Sequence, residues 1–169
     1  ELESEKALAV NRDGATMLAE MCQISGIPMI HLSSDYVFDG KSNHPYKECD
    51  IAGPLSVYGM SKWEGEQAVQ RTHAEHLIVR SAWLYGRLGN NFLNTMLRLA
   101  SQQEEIRVVN DQQGCPTWTR DLVITIAKLC EQIKINRLNI PWGTYHFCGH
   151  GETTWYAFCL LYTSPSPRD

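Results

Sequence analysis

Short apolar runs and helically spaced apolar positions take turns along this chain, separated by polar or Gly/Pro-containing segments. Residues 5–22 carry Leu8, Ala9, Met17, Leu18 and Met21 near helical spacing, and Gly26 follows as a stop, which predicts a helix. Residues 27–32 are an uninterrupted apolar run ending in Ser33-Ser34-Asp35, the pattern of a strand covered on both faces. Asp39-Gly40 marks a turn, and residues 41–54 form a polar connection. A helix is predicted over 56–69, with Lys62, Glu64 and Glu66 on exposed turns, and then a buried strand over 76–80. Further on, the pattern predicts a helix over 91–100, a third strand over 106–109 and a long helix over 120–135 on Leu122, Ile126, Leu129 and Ile133. A fourth strand over 144–147 and the opening of a helix over 154–161 complete the series. Helices alternating with strands imply βαβ units and an α/β fold with a doubly wound parallel sheet.

In such sheets ligands bind beyond the carboxyl ends of the strands, which directs attention to Ser33-Ser34-Asp35. Taken alone, this tripeptide reads more readily as a strand end opening a turn. Tyr58-Gly59-Met60-Ser61-Lys62 adds a phenol and an ammonium four residues apart at a helix start, on one helix face. An ammonium beside a phenol favours the phenolate and is expected to lower the tyrosine's pKa, making it an acid–base catalyst. Tyr-x-x-x-Lys alone is a weak pattern. Joined to a hydroxyl at a strand end and a parallel α/β fold, it is the equipment for carbonyl reduction by a nicotinamide: Ser34 to bind the substrate oxygen, Tyr58 to protonate it, Lys62 to hold the ribose.

Composition narrows the class. Of 169 residues 43% are hydrophobic and 20% charged, which excludes a disordered chain. The net charge of −4 and the lack of a basic block argue against a nucleic-acid partner. No apolar run is long enough for a membrane span. Cys22, Cys49, Cys115, Cys130, Cys148 and Cys159 include no C-x-x-C pair and are expected to be free thiols of a cytoplasmic protein. His146, Cys148 and His150 cluster but lack a fourth ligand, so no metal site is predicted. The chain opens at Glu1 without a methionine and turns Ser/Pro-rich over 162–169, which predicts a piece of a longer protein carrying a foreign tail.

Several strings in register resemble the extended short-chain dehydrogenase/reductase family, in the branch that reduces dTDP-linked 4-keto-deoxysugars. They are residues 33–40 (Ser-Ser-Asp-Tyr-Val-Phe-Asp-Gly), then Tyr46, Glu48, Asp50 and Pro54, then Tyr58 to Lys62 with Gly65-Glu66. Residues 81–86, 89–92, 110–117 and 143–146 continue the match in the same order, so the resemblance covers nearly the whole chain.

The resemblance implies a Rossmann-like fold, truncated at its N-terminus, with a small C-terminal substrate-binding portion. Residues 1–80 would be the remainder of the NAD(P)-binding domain with its Tyr-Lys helix. Residues 81–161 would mix Rossmann and substrate-binding parts, and 162–169 would be the tail. Ser34, Tyr58 and Lys62 fall on the catalytic triad, with Ser34 where threonine is commoner. Tyr58 and Lys62 also fall on cofactor contacts, and Ser34, Asp35 and Trp83 on contacts to the dTDP-sugar. Trp83 reads equally well as core packing. Asn91 and residues 112–117 fall on the nucleotide side without assigned roles. The implied cofactor is NADPH or NADH, whose Gly-rich pyrophosphate loop is expected upstream of Glu1. A homodimer of the full-length protein and a bridging Mg2+ are compatible with the resemblance but not predicted by it. Two alternatives stay open: a nucleotide-sugar epimerase or dehydratase, and a non-catalytic NADP-binding regulatory subunit like the β subunit of methionine adenosyltransferase. Tyr36 stands where a dehydratase would place a glutamate.

Overall fold

The structure, a computed structural model, describes residues 3–163. In chain order its elements are α1 (Ser4–Leu8), a π-helical turn (Ala9–Asp13), α2 (Gly14–Ser25), β1 (Met29–Ser34), α3 (Val57–Thr72) and β2 (His76–Ser81). There follow β3 (Leu84–Tyr85), α4 (Phe92–Ala100), β4 (Gln113–Gly114), β5 (Thr117–Trp118), α5 (Thr119–Asn136), β6 (Gly143–His146), β7 (Thr153–Thr154) and α6 (Trp155–Thr163). Two units divide the chain: residues up to Ser81 with Cys130–Phe147, and Ala82–Leu129 with residues from Cys148 on.

The first unit holds a parallel sheet of order β1-β2-β6, with Ser34 opposite Ser81 and Arg80 opposite His146. All six residues of β2 are buried, as a central parallel strand requires. Ala15 and Ala19 of α2, Met29, Val69 of α3 and Ile78 form its core. Gly26 closes α2 in the left-handed conformation at φ 62°, the stop expected of it. Gly65 lets α3 meet the π-helical turn, because a Cβ there would lie 2.1 Å from the Asn11 carbonyl oxygen.

Three expectations for this unit are corrected. The side of α2 turned to the core carries alanines, which permit close approach of α3, while Met17, Leu18 and Met21 of the apolar stripe are exposed. β1 runs two residues further than expected, because its pairing with β2 extends to Ser34. It is an edge strand of the sheet among the described residues, and Leu32 is 43% exposed instead of covered.

The second unit has two small ladders, β3 with β5 in parallel and β4 with β7 antiparallel. Its interior is aromatic: Phe158 meets Tyr85, Phe92 and Tyr162 within 5.1–6.1 Å. The strand expected over 106–109 does not form. The Val109 carbonyl instead accepts the Tyr156 N–H at the start of α6, and among the described residues no strand pairs with this stretch. The expected tail begins inside α6, which holds Tyr162 and Thr163, and its remainder lies outside the described residues.

Candidate active site

β1 ends at Ser34, and Asp35–Val37 turn away in a single 3-10 turn. The buried Ser34 hydroxyl accepts the Tyr36 N–H at 3.3 Å and donates to Asp35 Oδ1 at 3.1 Å. α3 starts above this turn, capped by Ser56, whose Oγ accepts the Gly59 N–H at 3.0 Å, an interaction worth about 1 kcal/mol. Gly59 sits directly on the turn: a Cβ there would lie 2.1 Å from the Tyr36 carbonyl oxygen. That close approach brings Tyr58 to the strand end. There the Ser34 hydroxyl acts on its phenol, and its ring meets Tyr36 edge-to-face at 5.7 Å. One turn along α3, Lys62 Nζ donates to the Leu32 carbonyl oxygen at 2.6 Å.

Ser34, Asp35, Tyr58 and Lys62 are therefore gathered at the carboxyl end of one strand. Their electrostatics differ from expectation. Burial raises the Tyr58 pKa, the neighbouring Ser34 hydroxyl opposes it, and Asp35 and Tyr36 raise it further. Lys62 turns its ammonium onto the Leu32 carbonyl, and the net effect on the phenol is upward. The lysine is itself pushed down by burial, against the pull of Glu66. Asp35 is pushed up by burial, in part offset by the Ser34 hydroxyl. His31, on the same strand with its Nε2 buried and unpartnered, is driven down to about 4 by burial and then by the Lys62 charge.

Beneath these groups lies an ion pair whose acid, Glu66, was expected on an exposed turn. Glu66 is fully buried and receives Arg80 Nη2 at 2.6 Å and Nε at 2.9 Å. The guanidinium also lies over Phe38 at 5.1 Å and reaches the Glu48 carbonyl at 3.5 Å. Arg80 Nη1 donates to His146 Nε2 at 3.4 Å, so the imidazole proton sits on Nδ1 and is donated to the Tyr46 carbonyl at 3.2 Å. Tyr46 stacks on Phe38 at 4.3 Å and donates to Asp39 Oδ1 at 2.6 Å. The connection after Asp35 is thus tied to the sheet through Arg80 and His146. A charge closing the apolar run 76–80 was the available signal for this network.

The remaining residues lie in the second unit. Trp83 is half-buried, adopts φ 47°, and stacks on Trp155 at 3.5 Å and 10°. Asn91 is an N-cap: its Oδ1 accepts the Asn94 N–H at 3.0 Å, while its amide donates to the Gly86 carbonyl at 2.9 Å. Phe92, Met96, Val108, Val109 and Trp155, with Arg107 and Gln112, line a cavity of about 270 Å³. Among the described residues no three His, Cys, Asp or Glu side chains are grouped to hold a metal ion.

A parallel three-stranded sheet flanked by helices, with polar groups at its carboxyl edge, places the chain among Rossmann-like α/β proteins. The enzyme WbmG of Bordetella bronchiseptica, solved with NAD, shares the fold with a TM-score of 0.80 at 17% identity, over 98% of this chain and 53% of that one. The chain belongs to the RmlD substrate binding domain family, which it matches over residues 1–164. It is 46% identical to the dTDP-4-dehydrorhamnose reductase of Sinorhizobium fredii, over 94% of this chain and 53% of that protein. The spore coat polysaccharide biosynthesis protein SpsK of Bacillus subtilis is 40% identical over 94% of this chain and 53% of its own length. The solved dTDP-4-dehydrorhamnose reductase of Bacillus anthracis, in complex with NADP, superimposes with a TM-score of 0.88 at 40% identity, over 97% of this chain and 56% of that one. The chain spans about half the length of the curated relatives it matches.

Proposed function

We propose that this chain carries the proton-transfer half of an NAD(P)H-dependent reductase that converts the 4-keto group of dTDP-4-dehydro-L-rhamnose to the alcohol of dTDP-L-rhamnose. The observation that carries the reading is the convergence of Ser34, Tyr58 and Lys62 on one strand end, in a chain 46% identical to a reductase of that name. In this reading Ser34, Tyr58 and Lys62 supply the chemistry and Trp83 meets the sugar nucleotide. A cytoplasmic location follows from the same reading. No helix among the described residues is long and apolar enough to cross a membrane.

The residues suit a reduced nicotinamide. Lys62 gives one N–H to Leu32, and an ammonium has three, leaving donors for ribose hydroxyls. The nicotinamide, when bound, supplies the hydride that no side chain can. The proton comes from Tyr58. A phenol whose pKa is raised stays protonated at neutral pH, which suits it to donate to the oxygen of a ketone being reduced. Ser34 has a single O–H, directed to Asp35, and turns it toward the substrate oxygen as that oxygen gains charge.

The test is turnover by the full-length protein with NADPH and dTDP-4-dehydro-L-rhamnose, followed as loss of reduced nicotinamide. Tyr58→Phe is expected to abolish turnover and to spare sugar-nucleotide binding. Full activity in that variant would remove the phenol from the mechanism, and cofactor binding without any turnover would favour the regulatory-subunit reading.

A further inference from the structure

Trp83 is the single non-glycine residue with positive φ among those described, at 47°. A bulky side chain adopts that conformation only where its surroundings hold it there. Two neighbours meet its ring. Trp155 lies parallel to the indole at 3.5 Å between centroids. Gly114 sits against the six-membered ring, where a Cβ would lie 2.4 Å from Cε2 and 2.7 Å from Cζ2. Any larger residue at position 114 would displace the indole.

Both neighbours are themselves fixed. Gly114 pairs with Thr153 in the β4–β7 ladder, two residues before Trp155. Thr154 Oγ1 donates to Asn110 Oδ1 at 2.7 Å and accepts the Ala157 N–H at 3.1 Å, which anchors the first turn of α6. Phe92 packs on Trp155 at 4.2 Å. The Trp83 carbonyl accepts the N–H of the buried Thr117 at 3.1 Å, so the strained backbone is held as well as the ring.

We propose that Trp155 is a positioning residue for Trp83, clamping its indole with Gly114 so that Trp83 presents a fixed aromatic surface to the sugar nucleotide. This rests on the reading of Trp83 as a sugar-nucleotide contact. Trp155 acts through the pair: without the stack, the left-handed backbone of Trp83 loses its counterweight and the indole leaves its place.

The experiment uses the full-length protein with Trp83→Leu, Trp155→Leu, Trp155→Phe and the double leucine variant. Two quantities are read: the exciton couplet of the stacked indoles in far-UV circular dichroism, and KM and kcat for dTDP-4-dehydro-L-rhamnose with NADPH. Trp155→Leu is expected to lose the couplet and raise KM about tenfold, with a much smaller change in kcat. Trp155→Phe, which restores a stacked ring, is expected to recover most of that rise. The double variant should be no worse than Trp83→Leu, since both act through one surface. Should Trp155→Leu fail to fold, Trp155→Met takes its place, filling the volume without a π face. An unchanged KM after loss of the couplet, while Trp83→Leu raises KM, overturns the proposal alone. Multiplying effects in the double variant also overturn it, because Trp155 would then touch the ligand independently. An unchanged KM in Trp83→Leu removes the underlying reading, and the proposal with it.

Discussion

The buried pair of Arg80 and Glu66 offers the sharpest physical test of this structure. Replacing Arg80 with methionine keeps most of the side-chain length but leaves the Glu66 carboxylate fully buried without its cation. Breaking a buried pair in this way costs about 3–5 kcal/mol. Loss of the guanidinium's place over Phe38 at 5.1 Å and Trp63 at 5.8 Å adds about 0.5–2 kcal/mol. Domains are stable by about 5–15 kcal/mol, so Arg80→Met should remove a large share of the total. Glu66→Leu, which strands the guanidinium, should cost a similar amount. The double variant leaves neither buried charge stranded and should lose far less than the two single changes together. Equilibrium urea unfolding of the four proteins, followed by tryptophan fluorescence, gives the coupling energy. It is expected at about 3 kcal/mol or more. Single variants within about 1 kcal/mol of the parent, or a double variant equal to the summed singles, would show that the pair is not the buried brace described here.

Gly59→Ala should lower turnover more than about tenfold and cost about 1–3 kcal/mol, since its Cβ would press on the Tyr36 carbonyl and lift α3 off the Ser34 turn. Gly53→Ala, whose Cβ would meet Asp39 at an ordinary 3.6 Å, is the control, expected within about 0.5 kcal/mol by urea unfolding. The pH dependence of reduction has a determined sign: the active form is the protonated phenol, so the rate should hold through neutral pH and fall only above the ordinary 10.0. Asp35→Asn removes a charge that raises the phenol's pKa and should move this alkaline limb to lower pH. A limb near neutrality in the parent, or one unmoved in Asp35→Asn, contradicts the assigned electrostatics.

What could be read from the sequence was whatever local chain geometry determines. The apolar run of β2 reads as a buried strand because its neighbours along the chain carry the pattern. Ser56 stands one residue before α3 begins at Val57, and Tyr58 and Lys62 share a face because helical spacing alone puts them there. The end of β1 as a candidate site follows from a rule of parallel sheets that needs only element order. The match to the family's strings extends these local readings to nearly the whole chain.

Tertiary structure alone decided which groups meet. Glu66 looks like a solvent-facing helix charge until Arg80 closes on it from β2. Glu48 accepts the His146 N–H at 3.0 Å across 98 residues of sequence. Residues 106–109 have the composition of a strand, yet a strand also needs a partner, and the Val109 carbonyl is taken by α6. The Tyr58 pKa goes up and not down because burial and the Asp35 and Tyr36 charges act on it, while Lys62 is turned onto Leu32. The stack of Trp83 on Trp155 follows no periodicity at all. Backbone dihedrals and apolar spacing are local quantities, written into a few consecutive residues. Burial, ion pairing and the field at a titrating group depend on what the fold brings across from elsewhere in the chain.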